Sequence, residues 1–163
     1  MEYDENIQAH LVSVWRESKN FFSIGGREGM LVLTDNHLMF VHKTESKMNW
    51  WKAITQRQVV NFLKSKNTMI QHDGYNKKDL SNDLKNNKNV ELTFDEIDII
   101  IFEEKTWGSV LYLEYEKEGK KEKFQYAIAQ DWVKYPMKEP TKFMKVDWAP
   151  FVQYIKERQK FTK

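Results

Sequence analysis

Cysteine is absent from the 163 residues. No disulfide, thiolate metal site or cysteine nucleophile is therefore available to the chain. Proline is scarce. Its three occurrences, Pro136, Pro140 and Pro150, all follow residue 135, which marks 133–146 as an extended loop. Glycine is nearly as rare, and three of the six lie at Gly25, Gly26 and Gly29, a turn region. Neither a helix nor a Lys-Ser/Thr pair follows them, so they do not form a phosphate loop. Long apolar runs are missing too. A stretch such as Ile99-Ile100-Ile101-Phe102 reaches four residues, far short of the roughly 18–20 that a spanning helix needs. The opening Met1-Glu2-Tyr3-Asp4-Glu5 is acidic where a secretory leader would be basic and then apolar. The expectation is a soluble cytoplasmic protein with no transmembrane segment.

A large excess of one charge is also lacking. Lys+Arg total 26 against 24 Asp+Glu, a net +2. That balance does not suit a dedicated nucleic-acid binder, which carries a strong basic excess. The charge is nevertheless uneven. From Lys134 to Lys163 eight basic residues face three acidic ones, so this end is +5 and the remainder −3. Lys134, Lys138, Lys142 and Lys145 are spread along the proline-containing loop and are the candidates for an anionic partner. Lys156, Arg158 and Lys160 sit where they also complement a helix dipole.

What the chain does have is 40% hydrophobic and 14% aromatic residues, enough for one packed domain. Met30 to Thr34 and Leu38 to His42 flank Asp35-Asn36 and read as a β-hairpin. His10 to Arg16 favours a strand. Val90, Leu92 and Phe94 alternate with polar residues. Ile97, Ile99 and Ile101 do so next, with Asp98 on the other face. Leu111, Leu113 and Tyr115, then Phe124, Tyr126 and Ile128, complete an antiparallel meander. Trp148, Phe151, Val152 and Ile155 fall at i, i+3, i+4, i+7, an amphipathic helix capped by Asp147 with Pro150 in its first turn. Residues 44–89 differ in character and read as a helical insertion within a single domain spanning 1–163. Trp50 to Lys66 is its main helix, although Thr55-Gln56-Arg57-Gln58 interrupts the apolar face. Leu80 and Leu84 at i, i+4 permit a short exposed helix.

Candidate chemistry is sparse. His10, His37, His42 and His72 lack metal-ligand spacing. Asp95-Glu96-Asp98 and Glu103-Glu104 could support acid–base work, but in alternating strands they belong to the solvent face. Trp15, Trp107 and Trp148 are expected in or at the core. Trp50 and Trp51 are adjacent, about 100° apart on a helix, so one of them is a candidate to face a partner or a membrane interface.

Seven strands and a terminal helix is the element order of the pleckstrin-homology (PH) fold. Gly29-Met30-Leu31-Val32-Leu33-Thr34-Asp35-Asn36-His37-Leu38-Met39-Phe40 resembles the hairpin of GRAM and bacterial PH-like domains, and Phe94-Asp95-Glu96-Ile97-Asp98-Ile99 resembles their strand-turn-strand signal. The resemblance implies a mainly β fold: a bent antiparallel sheet or partly open barrel, with a C-terminal capping helix. It implies a non-enzymatic adaptor or binding module without a cofactor. The expected partner is a protein held through the insertion, the alternative an anionic membrane lipid met by the basic C-terminal region. An enzyme using the acidic strand residues is the remaining reading. The basic pattern of phosphoinositide-type PH domains is absent, since Arg16, Lys19 and Arg27 lack its spacing.

Overall fold

The computed structural model of the chain describes residues 4–18, 26–42, 44, 51–72, 75–130 and 142–162. Its elements are β1 (Ile7–Ser18), β2 (Arg27–Thr34), β3 (His37–Val41), α1 (Trp51–Lys64), α2 (Lys77–Leu84), β4 (Val90–Thr93), a 3₁₀ turn (Phe94–Glu96), β5 (Ile97–Lys105), β6 (Gly108–Lys117), β7 (Lys120–Ile128) and α3 (Ala149–Thr162). The strands form one antiparallel sheet in the order β4-β3-β2-β1-β7-β6-β5. The fold is thus mainly β, as expected, with the helical insertion and the C-terminal helix in place. Two tight turns set the register. Asp35-Asn36 closes β2–β3, with Leu33 opposite Leu38. Glu118 and Gly119, with φ of 53° and 80°, close β6–β7 with the left-handed pair that suits the twist of a hairpin.

The sheet curls around one core. Leu92 near one edge and Ile100 near the other pack in the same apolar cluster as Leu31, Leu113, Trp148 and Phe151. Helix α3 lays the predicted stripe on it: Trp148, Phe151, Val152 and Ile155 are all buried. Asp147 Oδ1 accepts from the Ala149 N–H at 2.9 Å, and the Trp148 indole donates to the Ser109 carbonyl at 3.2 Å. Near the other end of the helix, Gln159 Nε2 donates to the carbonyls of Phe94 and Ile97.

The other face of β1–β3 is buried as well. Val12, Met30, Val32, Met39 and Val41 pack with Ile54 of α1, Tyr75, and Leu80 of α2 in a second cluster. Strands covered on both faces read as unbroken apolar runs rather than alternation, which accounts for Met30-Leu31-Val32-Leu33. The short helix at 77–84 is therefore not the exposed element its polarity suggested. Leu80 is fully buried and Leu84 packs against the same cluster. Polar bonds hold it there. Tyr75 Oη donates to Asp83 Oδ2 at 2.6 Å, Thr44 Oγ1 donates to the same oxygen at 2.9 Å, and Asn89 Nδ2 donates to the Asp83 carbonyl.

The polar interruption of α1 has a structural cause. In β1 the register slips between Leu11 and Val14, so Val12 and Ser13 stand opposite Met30 alone. Ser13 has a φ of 54°, a left-handed conformation that costs a non-glycine residue roughly 1 kcal/mol or more. This bulge points both Leu11 and Val14 into the main core. It also takes the backbone of Val12 out of the ladder where water cannot reach it. Gln58 replaces the lost strand partner: its Oε1 accepts from the Val12 N–H at 2.9 Å and its Nε2 donates to the Val12 carbonyl at 2.7 Å. Thr55 Oγ1 and Ser13 Oγ are bonded at 2.9 Å. Thr55 and Gln58 are fully buried, so these are core residues of a polar kind.

His10 lies beside this contact, buried, stacked on Tyr75 at 4.5 Å and edge-on to His72 at 5.5 Å. Burial, and secondarily the nearby His72, pushes its imidazole down to about 3. His10 therefore stays neutral in the folded chain, whereas in the unfolded chain it takes a proton below about 6.5. Its contribution is complete above that pH and is lost as pH falls toward 3, by roughly 1 kcal/mol per pH unit.

Two measurements check this account. Gln58→Leu leaves two buried backbone groups unpaired and is expected to cost about 3 kcal/mol in urea unfolding, while Gln56→Leu, on the exposed side of α1, shifts it by less than about 0.5 kcal/mol. His10→Gln is expected to reduce the loss of stability between pH 7 and pH 5 by about 2 kcal/mol. Equal pH slopes in the two proteins would exclude His10 as the source.

Candidate functional site

Strand β5 lies at the edge of the sheet. Among the described residues its only strand partner is β6, so the backbone groups along its other side meet no strand. The alternation expected here was Ile97, Ile99 and Ile101 on one face. A register shift between Ile97 and Ile99 reverses it: Ile97 and Ile100 are buried, while Ile99 and Ile101 are 41% and 40% exposed, and Phe102, on the inner side opposite Leu111, is still 42% exposed at the open edge. The extra residue uses up one step of the two-residue period, so every later side chain changes face. Trp107, expected in or at the core, sits in the β5–β6 turn and is 48% exposed. Its ring packs against Phe143 at 5.3 Å.

The acidic residues of this strand and of the 3₁₀ turn before it have separate partners. Glu96 accepts from the Thr93 N–H at 2.8 Å and faces Lys117 at 3.6 Å. Glu103 pairs with Lys105 at 2.8 Å. Glu104 accepts from Ser109 Oγ and faces Lys145 at 3.6 Å. Asp98 is exposed. The result is an apolar edge with an acidic border.

The residues singled out from the sequence fare unevenly. Trp50, Lys134 and Lys138 lie outside the described residues, and Trp51 opens α1. Lys142 and Lys145 are exposed, on a segment stitched to the sheet by the Gln130 N–H donating to the Lys142 carbonyl and the Met144 N–H donating to the Ile128 carbonyl. Lys145 is not a free cation of a loop. Its ammonium donates to the Lys105 carbonyl and faces Glu104, so it fastens the segment to the end of β5. No helix among the described residues is long and apolar enough to cross a membrane.

Arg16 is likewise engaged. The bulge brings its side chain to the inner face of β1, where the guanidinium lies over Phe40 at 4.5 Å and over Phe124 at 4.3 Å. Tyr126, buried in the same group, has its phenol raised well above the ordinary value by burial, an effect that the Arg16 charge opposes. Two ring faces on one cation are worth roughly 1–2 kcal/mol. The expected outcome for Arg16→Gln is a loss of about that size in thermal or urea unfolding, with Arg16→Lys recovering part of it. A neutral Arg16→Gln would show that the sandwich contributes nothing.

The sequence signal that could have found the β5 edge was the run Ile99-Ile100-Ile101-Phe102 itself, four apolar residues in a strand that has only one core to face. No family model matches the chain, and no curated protein matches it.

Proposed function

We propose that this chain is a non-enzymatic PH-like binding module that engages a protein partner by adding an extended segment to β5. The element order, a curled seven-stranded antiparallel sheet with a C-terminal helix against its core, supports the PH-like reading. The observation that carries the binding reading is the nine-residue edge strand with Ile99, Ile101 and Phe102 exposed. A long apolar edge is a template for strand addition, in which main-chain bonds supply affinity and alternate side chains supply selectivity. Asp98, exposed and in none of the ion pairs among the described residues, argues for a basic residue in an otherwise apolar partner strand. It also argues against a second copy of β5. Antiparallel self-pairing centred between Ile100 and Ile101 would set Asp98 opposite Glu103, and like charges directly opposite are unfavourable.

The insertion, the surface first expected to hold the partner, covers the sheet with Ile54, Phe62 and Leu80. That assigns its described inner side to packing. Of the four lysines behind the anionic-lipid alternative, Lys145 has an intramolecular role and Lys142 is exposed, while Lys134 and Lys138 lie outside the described residues.

Peptides selected by display against the whole chain test the reading. Those that bind are expected to be basic and β-branched, and to protect amides between residues 98 and 104 from hydrogen exchange. The double variant Ile99→Lys/Ile101→Lys is expected to weaken them at least about tenfold, through charge placed on the edge, with an unchanged melting temperature. Selected peptides that protect another surface, or that bind the variant equally, would overturn it.

A further inference from the structure

Away from the β5 edge, on the outer face of the sheet not covered by the insertion, lies a cleft of about 200 Å³. Its walls are Trp15, Trp107 and Phe143, and Val110 and Ala127 line it as well. Two glycines make room for these rings. A Cβ on Gly26 would sit 2.2 Å from the Trp15 indole, and one on Gly108 would sit 2.7 Å from Phe143 Cβ. At the cleft stands Glu17, directly across the ladder from Gln125. The Trp15 indole N–H donates to Glu17 Oε1 at 2.9 Å, and Gln125 Nε2 donates to Glu17 Oε2 at 3.3 Å.

We propose that this cleft binds a small quaternary-ammonium compound. Three features select that chemistry. Aromatic faces carry partial negative charge and attract a cation. Glu17 adds a formal negative charge, and none of the ion pairs among the described residues involves it. Each of its oxygens already accepts a hydrogen bond from a neutral donor. Two of the carboxylate's roughly four acceptor directions are thus taken, so an N–H donor finds fewer places to bond while the negative charge is undiminished, which tilts the cleft toward a cation with no N–H. The volume lies below the roughly 300–1,000 Å³ of sites that take drug-sized ligands, so the compound is small. This inference does not rest on the use of β5 as a docking edge.

The test is a titration of the whole chain with choline and with tetramethylammonium. It is followed through the indole N–H resonances, assigned by single Trp→Phe replacements. The expected result is a saturable shift of the Trp15 and Trp107 signals, with a Kd on the order of 1–10 mM. Trp107→Ala removes an exposed wall, and Glu17→Gln removes the charge while keeping an acceptor for the indole. Each is expected to weaken binding about tenfold without lowering the melting temperature. Replacing the charged nitrogen of choline by carbon, as in 3,3-dimethylbutan-1-ol, is expected to abolish binding. Equal binding of that neutral isostere would reduce the cleft to an apolar hollow. Equal binding of ethylguanidinium or butylammonium would remove the quaternary preference. Absence of any saturable shift would refute the site.

Discussion

The bond pair between Gln58 and the backbone of Val12 is the contact on which the rest of the architecture depends. A bulge in β1 lets one strand serve two purposes. Its first half pairs with β2 alone, and its second half also pairs with β7, so all seven strands join into one sheet. The bend carries two costs, a left-handed Ser13 and an unpaired backbone at Val12, in a place water cannot reach. A side-chain amide offers one donor and one acceptor with the geometry of a neighbouring strand. Gln58, brought in on a helix 46 residues away, supplies that pair. The insertion is therefore part of the sheet's hydrogen bonding and not an appendage.

The same contact divides the surface into two unlike halves. Helices α1 and α2 cover the outer face of β1–β3, where Val12, Met30, Val32, Met39 and Val41 are buried. The outer face of β7, β6 and β5 has no such cover. There the chain keeps Ile99, Ile101 and Trp107 exposed, and there the aromatic cleft opens. Scattered exposed apolar residues need no explanation, but a group of them along one uncovered edge does. The half of the sheet sealed by the insertion supplies stability. The uncovered half carries the proposed docking edge and the proposed cleft.

The polar residues divide in a corresponding way. His10, Thr55 and Gln58 are buried among their partners and knit the insertion to the sheet, while Asp83 is buried among partners within the insertion. Lys145, from the region where a basic surface was expected, is occupied in holding the end of β5, and Arg16 in holding the inner aromatic group. Composition alone does not distinguish a cation that waits for a ligand from one that already has a partner. Only the identity of the nearest opposite group separates them.

By itself the sequence determined the order and type of the elements. Val90, Leu92 and Phe94, the Asp35-Asn36 turn, and Trp148, Phe151, Val152 and Ile155 carry local periods that few other conformations satisfy, so strands and helices could be read within a residue or a few. Tertiary structure decided what covers each face. Thr55 and Gln58 look like flaws in a helix until Val12 and Ser13 stand opposite them. Ile99 and Ile101 look like core until one bulge changes their side. Trp107 could belong to the core or to its edge until the turn that carries it places it at the rim, half-exposed against Phe143. The reason is the range of the forces involved. Periodicity reports which residues share a face from a few neighbours along the chain. The partner of that face, whether water, a helix or an ion, is set by segments brought together from 40 or more residues apart.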